Sequence, residues 1–289
     1  ATTEIYTLSL HDALPIYWYE TQWSDKTETV IKRISYKDGK LKAEASGKVD
    51  GYINDSFSID EYDGYLRVVT TDDETNGLYI LDSKMKEVGS ITGLAEGEQV
   101  YSARLLGDTG YFVTYEQTDP LFSVDLSDPK NPKIIGKLKI PGFSEYLHFY
   151  GENQLLGIGM DVDEDGFTTN GVKLSMFDIS GSSDVKEIQK YTLENVYSAA
   201  VMYDYKAVLI DPEKNVIGFA ADGNNGENYY VFSYNDTNGF ECLMNETVNG
   251  NGYQSARGVY VDNTLYVVKG NIIEAYDMAD YQKIDDLIL

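Results

Sequence analysis

The feature that most constrains the fold is an internal repeat of short apolar segments that each end in aspartate. Four such segments run from Leu78 to Asp82, from Leu121 to Asp125, from Leu174 to Asp178 and from Ile273 to Asp277. They recur roughly every 50 residues, with the last interval spanning two repeats that Tyr229 to Tyr234 divides. Related segments open the repeats at Tyr101, Tyr197 and Gln254. The chain is therefore predicted to consist of similar structural units in series.

The local pattern within each repeat is that of β-strands. Apolar runs are short, rich in β-branched and aromatic residues, and bounded by glycine, asparagine or aspartate, and no long run follows the period of a helix. A repeat of this length with four short strands is typical of the blades of a β-propeller, whereas a solenoid would need a shorter and more regular period. The predicted fold class is thus an all-β propeller of four-stranded antiparallel blades. A partial blade is expected over residues 17–50, and five full blades over 51–95, 96–142, 143–195, 196–250 and 251–289.

The aspartate that ends each segment is best explained by turn chemistry. An aspartate side chain accepts hydrogen bonds from backbone N–H groups two residues further on and so closes a turn. Pro129 and Pro132 follow Asp125 closely, and proline cannot donate to a sheet ladder. We expect these aspartates to be structural caps between the third and fourth strands of each blade.

The first sixteen residues have a different character. They match the in-frame translation of a common short-read sequencing adapter, so residues 1–16 are predicted to be non-native and the propeller domain to cover residues 17–289. The propeller is accordingly expected to be truncated at its N-terminal side. Residues 1–16 are expected to form no blade strand, and His11 is set aside, which leaves His148 as the only other histidine.

Charge and composition narrow the possible partners. The net charge of −25 repels phosphate backbones and anionic headgroups, so nucleic acid is excluded as a partner. Membrane insertion is also not expected, because no apolar run approaches the about 20 residues of a spanning helix. The one cysteine, Cys242, permits no internal disulfide.

Several stretches resemble a known family. They begin at Ser58, Thr118, Asp125, Ile140 and Asp211, with sequences such as Ile-Pro-Gly-Phe-Ser-Glu-Tyr-Leu-His up to His148 and Asp-Pro-Glu-Lys up to Lys214. They are similar to secreted bacterial and archaeal proteins with a C-terminal β-propeller distantly related to WD40 repeats. The resemblance implies export to the cell surface or exterior, and it carries no catalytic motif. The chain departs from this family at Tyr205, where the family pattern has histidine.

One local motif points to a metal. Asp161, Asp163 and Asp165 alternate before Gly166, and carboxylates in this pattern can wrap Ca²⁺ while the glycine permits the sharp turn. An EF-hand would continue to a glutamate where this chain has Val172. Calcium is therefore the one cofactor that the sequence suggests, and a solvated acidic hairpin is the alternative.

A second set of candidate residues comes from aligning the segments that open the blades. The alignment places Arg104, His148 and Arg257 at equivalent positions of a blade's first strand, which lines the central channel of a propeller. A positive ring in an acidic protein would attract a carboxylate, a phosphate or an acidic side chain. The alternative is that each residue pairs with an acidic residue of a neighbouring blade.

These observations predict a non-catalytic extracellular module that binds protein or glycan through a propeller face or the channel. No nucleophile elbow is present, and His148 is the only histidine that could serve as a base in a serine or cysteine triad. The alternative is a propeller enzyme, a hydrolase or lyase, with its site in the channel or in N-terminal blades outside this chain. A structural surface-layer component is a third hypothesis.

Overall fold

The computed structural model describes residues 3–7, 15–22, 26–72, 75–115, 119–163 and 168–289. In these ranges the chain is all-β, with three single 3₁₀ turns as its helical elements. It divides into two compact units, residues 1–140 with 181–185, and residues 141–180 with 186–289. No helix in the described ranges has the length and apolar character needed to cross a bilayer.

The first unit contains three antiparallel sheets, and in each of them the strands lie side by side in chain order. Sheet 1 consists of β1 (Thr3–Thr7), β2 (Pro15–Gln22), β3 (Glu28–Lys37) and β4 (Lys40–Asp50). Sheet 2, preceded by the 3₁₀ turn Ser56–Ser58, consists of β5 (Ile59–Tyr62), β6 (Tyr65–Thr71), β7 (Asn76–Leu81) and β8 (Glu87–Leu94). Sheet 3 consists of β9 (Gln99–Leu106), β10 (Thr109–Tyr115), β11 (Asp119–Asp125) and β12 (Lys133–Ile140).

The second unit also contains three antiparallel sheets. Sheet 4 consists of β13 (Phe143–Phe149), β14 (Gln154–Val162), β15 (Thr169–Asp178) and β16 (Lys186–Glu194). Sheet 5 consists of β17 (Val196–Ala199), β18 (Val208–Asp211), β19 (Val216–Gly223), β20 (Gly226–Asn235) and β21 (Gly239–Glu246), with 3₁₀ turns at Ala200–Met202 and Tyr205–Ala207. Sheet 6 consists of β22 (Arg257–Val261), β23 (Thr264–Lys269), β24 (Ile272–Asp277) and β25 (Lys283–Ile288).

These sheets confirm the predicted fold class and five of the predicted blade ranges. The prediction for the first blade is wrong, because sheet 1 has four strands. Thr3–Thr7 pairs with β2 in antiparallel register, from Thr3 opposite Glu20 to Thr7 opposite Ile16. The physical reason is that an edge strand is held by backbone N–H and C=O groups, which any β-compatible segment offers. The origin of residues 1–16 as a translated adapter stays a prediction.

The structure confirms the turn-capping role of the repeated aspartates. The Oδ1 atom of Asp125 accepts a hydrogen bond from the backbone N–H of Ser127 at 2.9 Å. Asp82, Asp178 and Asp277 cap their turns in the same way. Hydrogen bonding to Ser127 holds the pKa of the Asp125 carboxyl below its ordinary value. The aspartates therefore explain the repeat without any functional role.

Apolar clusters between adjacent sheets form the core of each unit. In the second unit, one cluster joins sheets 5 and 6 and is centred on Tyr229, which is fully buried. The Tyr229 ring fits here because its neighbours at Gly218 and Gly258 have no Cβ. The central strands β14 and β15 of sheet 4 are buried along most of their length, as expected for sheets covered on both faces.

Candidate functional site

The most distinctive site begins where the first strand of sheet 5 is interrupted. Both β17 and β18 pair with β19, the first through Ala199 opposite Ala221 and the second through Val208 opposite Phe219. Residues 200–207 lie between the two half-strands and form two 3₁₀ turns. The Asp204 carboxylate caps the second turn by accepting the Lys206 N–H at 3.0 Å. The insertion can therefore present its side chains in directions other than the two faces of the sheet, to which a continuous strand would restrict them.

The insertion and the segment before β22 together line an open cleft of about 330 Å³, here called the tyrosine-rich cleft. Its lining residues are Ala200, Tyr203, Asp204, Ala207, Gln254, Ser255 and Arg257. The Tyr203 side chain is 80% exposed, and the adjacent Tyr205 and Tyr253 are exposed as well. Tyr203 lines the cleft itself, and Tyr205 and Tyr253 each adjoin a lining residue along the chain. Exposed aromatic surface of this kind is often covered by a binding partner.

A charged pair crosses this cleft. The Arg257 guanidinium forms an ion pair with the Asp204 carboxylate, and both side chains are roughly half exposed. An exposed pair contributes about 0–1 kcal/mol to folding, since water screens it and both side chains lose freedom. Arg257 is therefore available to a ligand at little cost to the fold.

The three residues of the predicted ring all lie on the first strand of their sheets. Arg104 lies on β9, His148 on β13 and Arg257 on β22. Arg104 belongs to the first unit and the other two to the second. A common ring therefore stays a prediction, and each residue is described by its own contacts.

Arg104 has the surroundings of a structural residue. Its side chain is buried, its Nη1 donates to the Ala103 carbonyl at 2.6 Å, and its guanidinium lies 3.5 Å from the centre of the Phe57 ring. Burial raises the pKa of Asp55 and the charge of Arg104 counteracts it, so the two groups interact. These contacts favour the structural alternative for Arg104.

His148 contacts Tyr146 on the same strand, β13, and Glu145 of that strand is set apart by its burial. Its Nδ1 lies 3.0 Å from the Tyr146 hydroxyl, and the two rings stack. Glu145 sits at an irregularity of the β13–β14 register, and burial raises the pKa of its carboxyl to about 7. Glu145 could not be singled out from the sequence, because nothing there distinguishes it among 48 acidic residues. A carboxyl that titrates near neutral pH is chemically suited to proton transfer.

The predicted calcium residues are only partly within the described chain. Asp161 is buried and accepts hydrogen bonds from Lys190 Nζ and Thr192 Oγ1, each at 3.0 Å. Asp163 lies just beyond β14, and Asp165 falls outside the described residues. Within the described ranges no group of three or more metal-ligating side chains comes together. The calcium site therefore stays a prediction, and its Asp161 would have to exchange Lys190 for the metal.

Comparison with known proteins gives one family and two long relatives. A family model described as a beta propeller domain matches residues 2–281. An uncharacterized protein of Archaeoglobus fulgidus is 43% identical over 251 residues, covering 86% of this chain and 38% of that protein. An uncharacterized protein of Methanocaldococcus jannaschii is 40% identical over 272 residues, covering 92% of this chain and 41% of that protein. The chain thus spans about two fifths of the length of these curated relatives.

Solved structures with a similar fold include lactonases. The periplasmic gluconolactonase PpgL of Pseudomonas aeruginosa aligns with a TM-score of 0.60 at 10% identity, over 94% of this chain and 81% of that one. A candidate 6-phosphogluconolactonase of Bacteroides uniformis aligns with a TM-score of 0.56 at 12% identity, over 95% and 82%. Identities this low establish a shared fold and nothing further.

Proposed function

From the premise that this chain belongs to the beta propeller domain family, we propose that it is a non-catalytic extracellular module that binds a protein partner through the tyrosine-rich cleft. The single observation that carries the proposal is the display of Tyr203 on an insertion that breaks the first strand of sheet 5. Tyrosine and arginine are the residue types that concentrate at the centres of protein interfaces, and Arg257 lines the same cleft.

The cleft also has the mixture of groups that such an interface needs. Tyr203 offers a rigid apolar ring with a polar tip, which costs little conformational entropy on binding. Gln254 supplies an amide and Arg257 a charged donor that can be fully used once water is excluded. The extracellular location is part of the proposal, and it is supported by the resemblance to exported proteins.

Random-peptide phage display on the purified chain tests the proposal with a defined probe. Peptides that are enriched by binding to the wild type should bind Tyr203→Ala and Arg257→Ala about tenfold more weakly or worse, as expected for interface hot spots. Tyr36→Ala is the matched control, because Tyr36 is also exposed but lies on β3 in the first unit. Enriched peptides that bind all three variants equally would overturn the proposal.

A hydrolase is the second hypothesis, and Glu145 is the observation that favours it. Its carboxyl pKa of about 7 is compatible with acid–base chemistry. Two fold neighbours are described as lactonases, which makes glucono-δ-lactone the natural probe. A hydrolysis rate above buffer that Glu145→Gln abolishes would establish the enzyme, whereas the binding proposal expects the rate of buffer alone.

A further inference from the structure

A second cleft lies at sheet 5 and the end of β16, and half of its lining residues are asparagines. It has a volume of about 390 Å³, within the range of roughly 300–1,000 Å³ that is usual for small-molecule sites. Its lining residues are Glu194, Asn195, Val196, Gly223, Asn224, Asn225, Gly226, Asn228, Tyr230 and Asn245. We call it the asparagine cleft, and we propose that it binds a neutral glycan, with Tyr197 as an aromatic platform at its edge.

The wall of the cleft is built on regular strands, which fixes its geometry. Asn228 and Tyr230 alternate on β20 and so share a face, and Asn245 lies directly opposite Tyr230 on β21. The Asn228 amide donates to Asn245 Oδ1 at 2.7 Å, and Thr247 Oγ1 donates to Asn228 Oδ1 at 2.6 Å. These hydrogen bonds hold the two amides in place before any ligand arrives, which lowers the cost of binding.

The rim of the cleft comes from two turns held against each other. Asn224 and Asn225 form the two-residue turn between β19 and β20, and the Asn224 N–H donates to the Asn195 carbonyl at 3.1 Å. Gly223 permits this approach, since a Cβ there would lie 2.7 Å from the same carbonyl oxygen. Asparagine suits the backbone of such turns, but turn chemistry alone does not require that the amides share one cleft.

An aromatic ring stands at the edge of this amide cluster. Tyr197 follows Val196 on β17, is exposed, and donates its hydroxyl hydrogen to Asn224 Oδ1. This bond ties the Tyr197 ring to the rim. An oriented aromatic face can pack against the apolar C–H face of a sugar, while nearby groups meet its hydroxyls.

The chemistry of the cleft selects a neutral polyhydroxylated ligand. Amide groups both donate and accept hydrogen bonds, as sugar hydroxyls do, and they carry no charge. Glu194 is the one ionisable carboxylate among the lining residues, and the whole chain is strongly acidic. Acidic polysaccharides are therefore disfavoured by charge repulsion. The asparagine cleft and the tyrosine-rich cleft share no lining residue, so glycan binding at the first and protein binding at the second can be refuted independently.

The test is calorimetric titration of the purified chain with neutral tetrasaccharides of glucose, mannose, galactose and N-acetylglucosamine. At least one should bind, and Asn245→Ala and Tyr197→Ala should each weaken that binding about tenfold or more with an unchanged melting temperature. Asn238→Ala is the matched control, because Asn238 is exposed in the turn between β20 and β21 and lies outside the cleft. Tetragalacturonate should not bind.

A conservative substitution separates loss of binding from loss of folding. Asn245→Asp keeps the shape of the side chain but replaces an amide donor with a carboxylate, so it should abolish binding of the neutral sugar while the chain stays folded. The proposal is overturned if no tetrasaccharide binds at millimolar concentration. It is equally overturned if binding survives unchanged in Asn245→Asp and Tyr197→Ala.

Discussion

Replacing Gly258 with alanine tests how sheets 5 and 6 pack in the second unit. Gly258 lies on β22, and the side chain of Tyr229 from β20 occupies the space that a Cβ at Gly258 would need. A Cβ added at Gly258 would lie 2.6 Å from Tyr229 Cζ and closer still to the hydroxyl oxygen. Ordinary contacts begin near 3.4 Å, so the hydroxyl oxygen, only 2.0 Å from the added Cβ, would have to move by about 1.4 Å.

The ring has little free space to move into, and this determines how much stability Gly258→Ala should cost. Tyr229 is fully buried, and a Cβ at Gly218 would also lie only 2.7 Å from the same hydroxyl. Overpacking a rigid core costs typically about 1–3 kcal/mol, and we expect the upper half of that range here. For a chain of this size that corresponds to a decrease in Tm of roughly 4–12 °C.

Thermal unfolding followed by circular dichroism measures this decrease. Gly181→Ala is the matched control, because a Cβ there meets nothing closer than 3.9 Å. Combining Gly258→Ala with Tyr229→Phe removes the closest atom and should recover part of the loss, so the double variant should be more stable than the two single effects predict. An unchanged Tm for Gly258→Ala, or strictly additive effects, would refute this packing.

Three further predictions concern single side chains. Arg104→Ala should lower the free energy of unfolding by about 3 kcal/mol in urea titrations because Arg104 is buried beside Phe57 and Asp55, whereas Arg257→Ala should leave it nearly unchanged. Burial raises the pKa of the Glu145 carboxyl from 4.5 to about 7, so its ionisation costs stability that is fully present above about pH 7 and disappears only as the pH falls below 4.5. Glu145→Gln should therefore raise Tm at pH 8 and hardly change it at pH 4. If the calcium prediction holds, millimolar Ca²⁺ should raise Tm in the wild type and not in Asp163→Asn, and a wild-type Tm indifferent to Ca²⁺ would rule it out.

The blade boundaries could be predicted from the sequence because their signals are local. Each aspartate such as Asp125 closes its turn through its own neighbours, and each strand alternates with turn residues. The strand at Thr3–Thr7 could not be predicted in this way, since edge pairing depends on an available backbone rather than on a side-chain pattern.

The candidate sites depended on pairings that are distant in sequence. The break between β17 and β18 is visible only when Val208 and Ala199 are both placed against β19. That break is what exposes Tyr203, and no local pattern distinguishes this tyrosine among 25. The sequence did identify Arg257 as a candidate ligand-binding residue, and the structure places it in the same cleft.

Backbone hydrogen–deuterium exchange with an enriched peptide is the most direct test of the central claim, that the tyrosine-rich cleft is where this propeller binds a protein partner. Saturating peptide should slow exchange in residues 200–207 and 251–257 of the wild type. The same peptide concentration should protect those segments markedly less in Tyr203→Ala, because its affinity for this variant is expected to be about tenfold or more lower. Protection confined to other sheets, with residues 200–207 exchanging as in the free chain, would contradict the account.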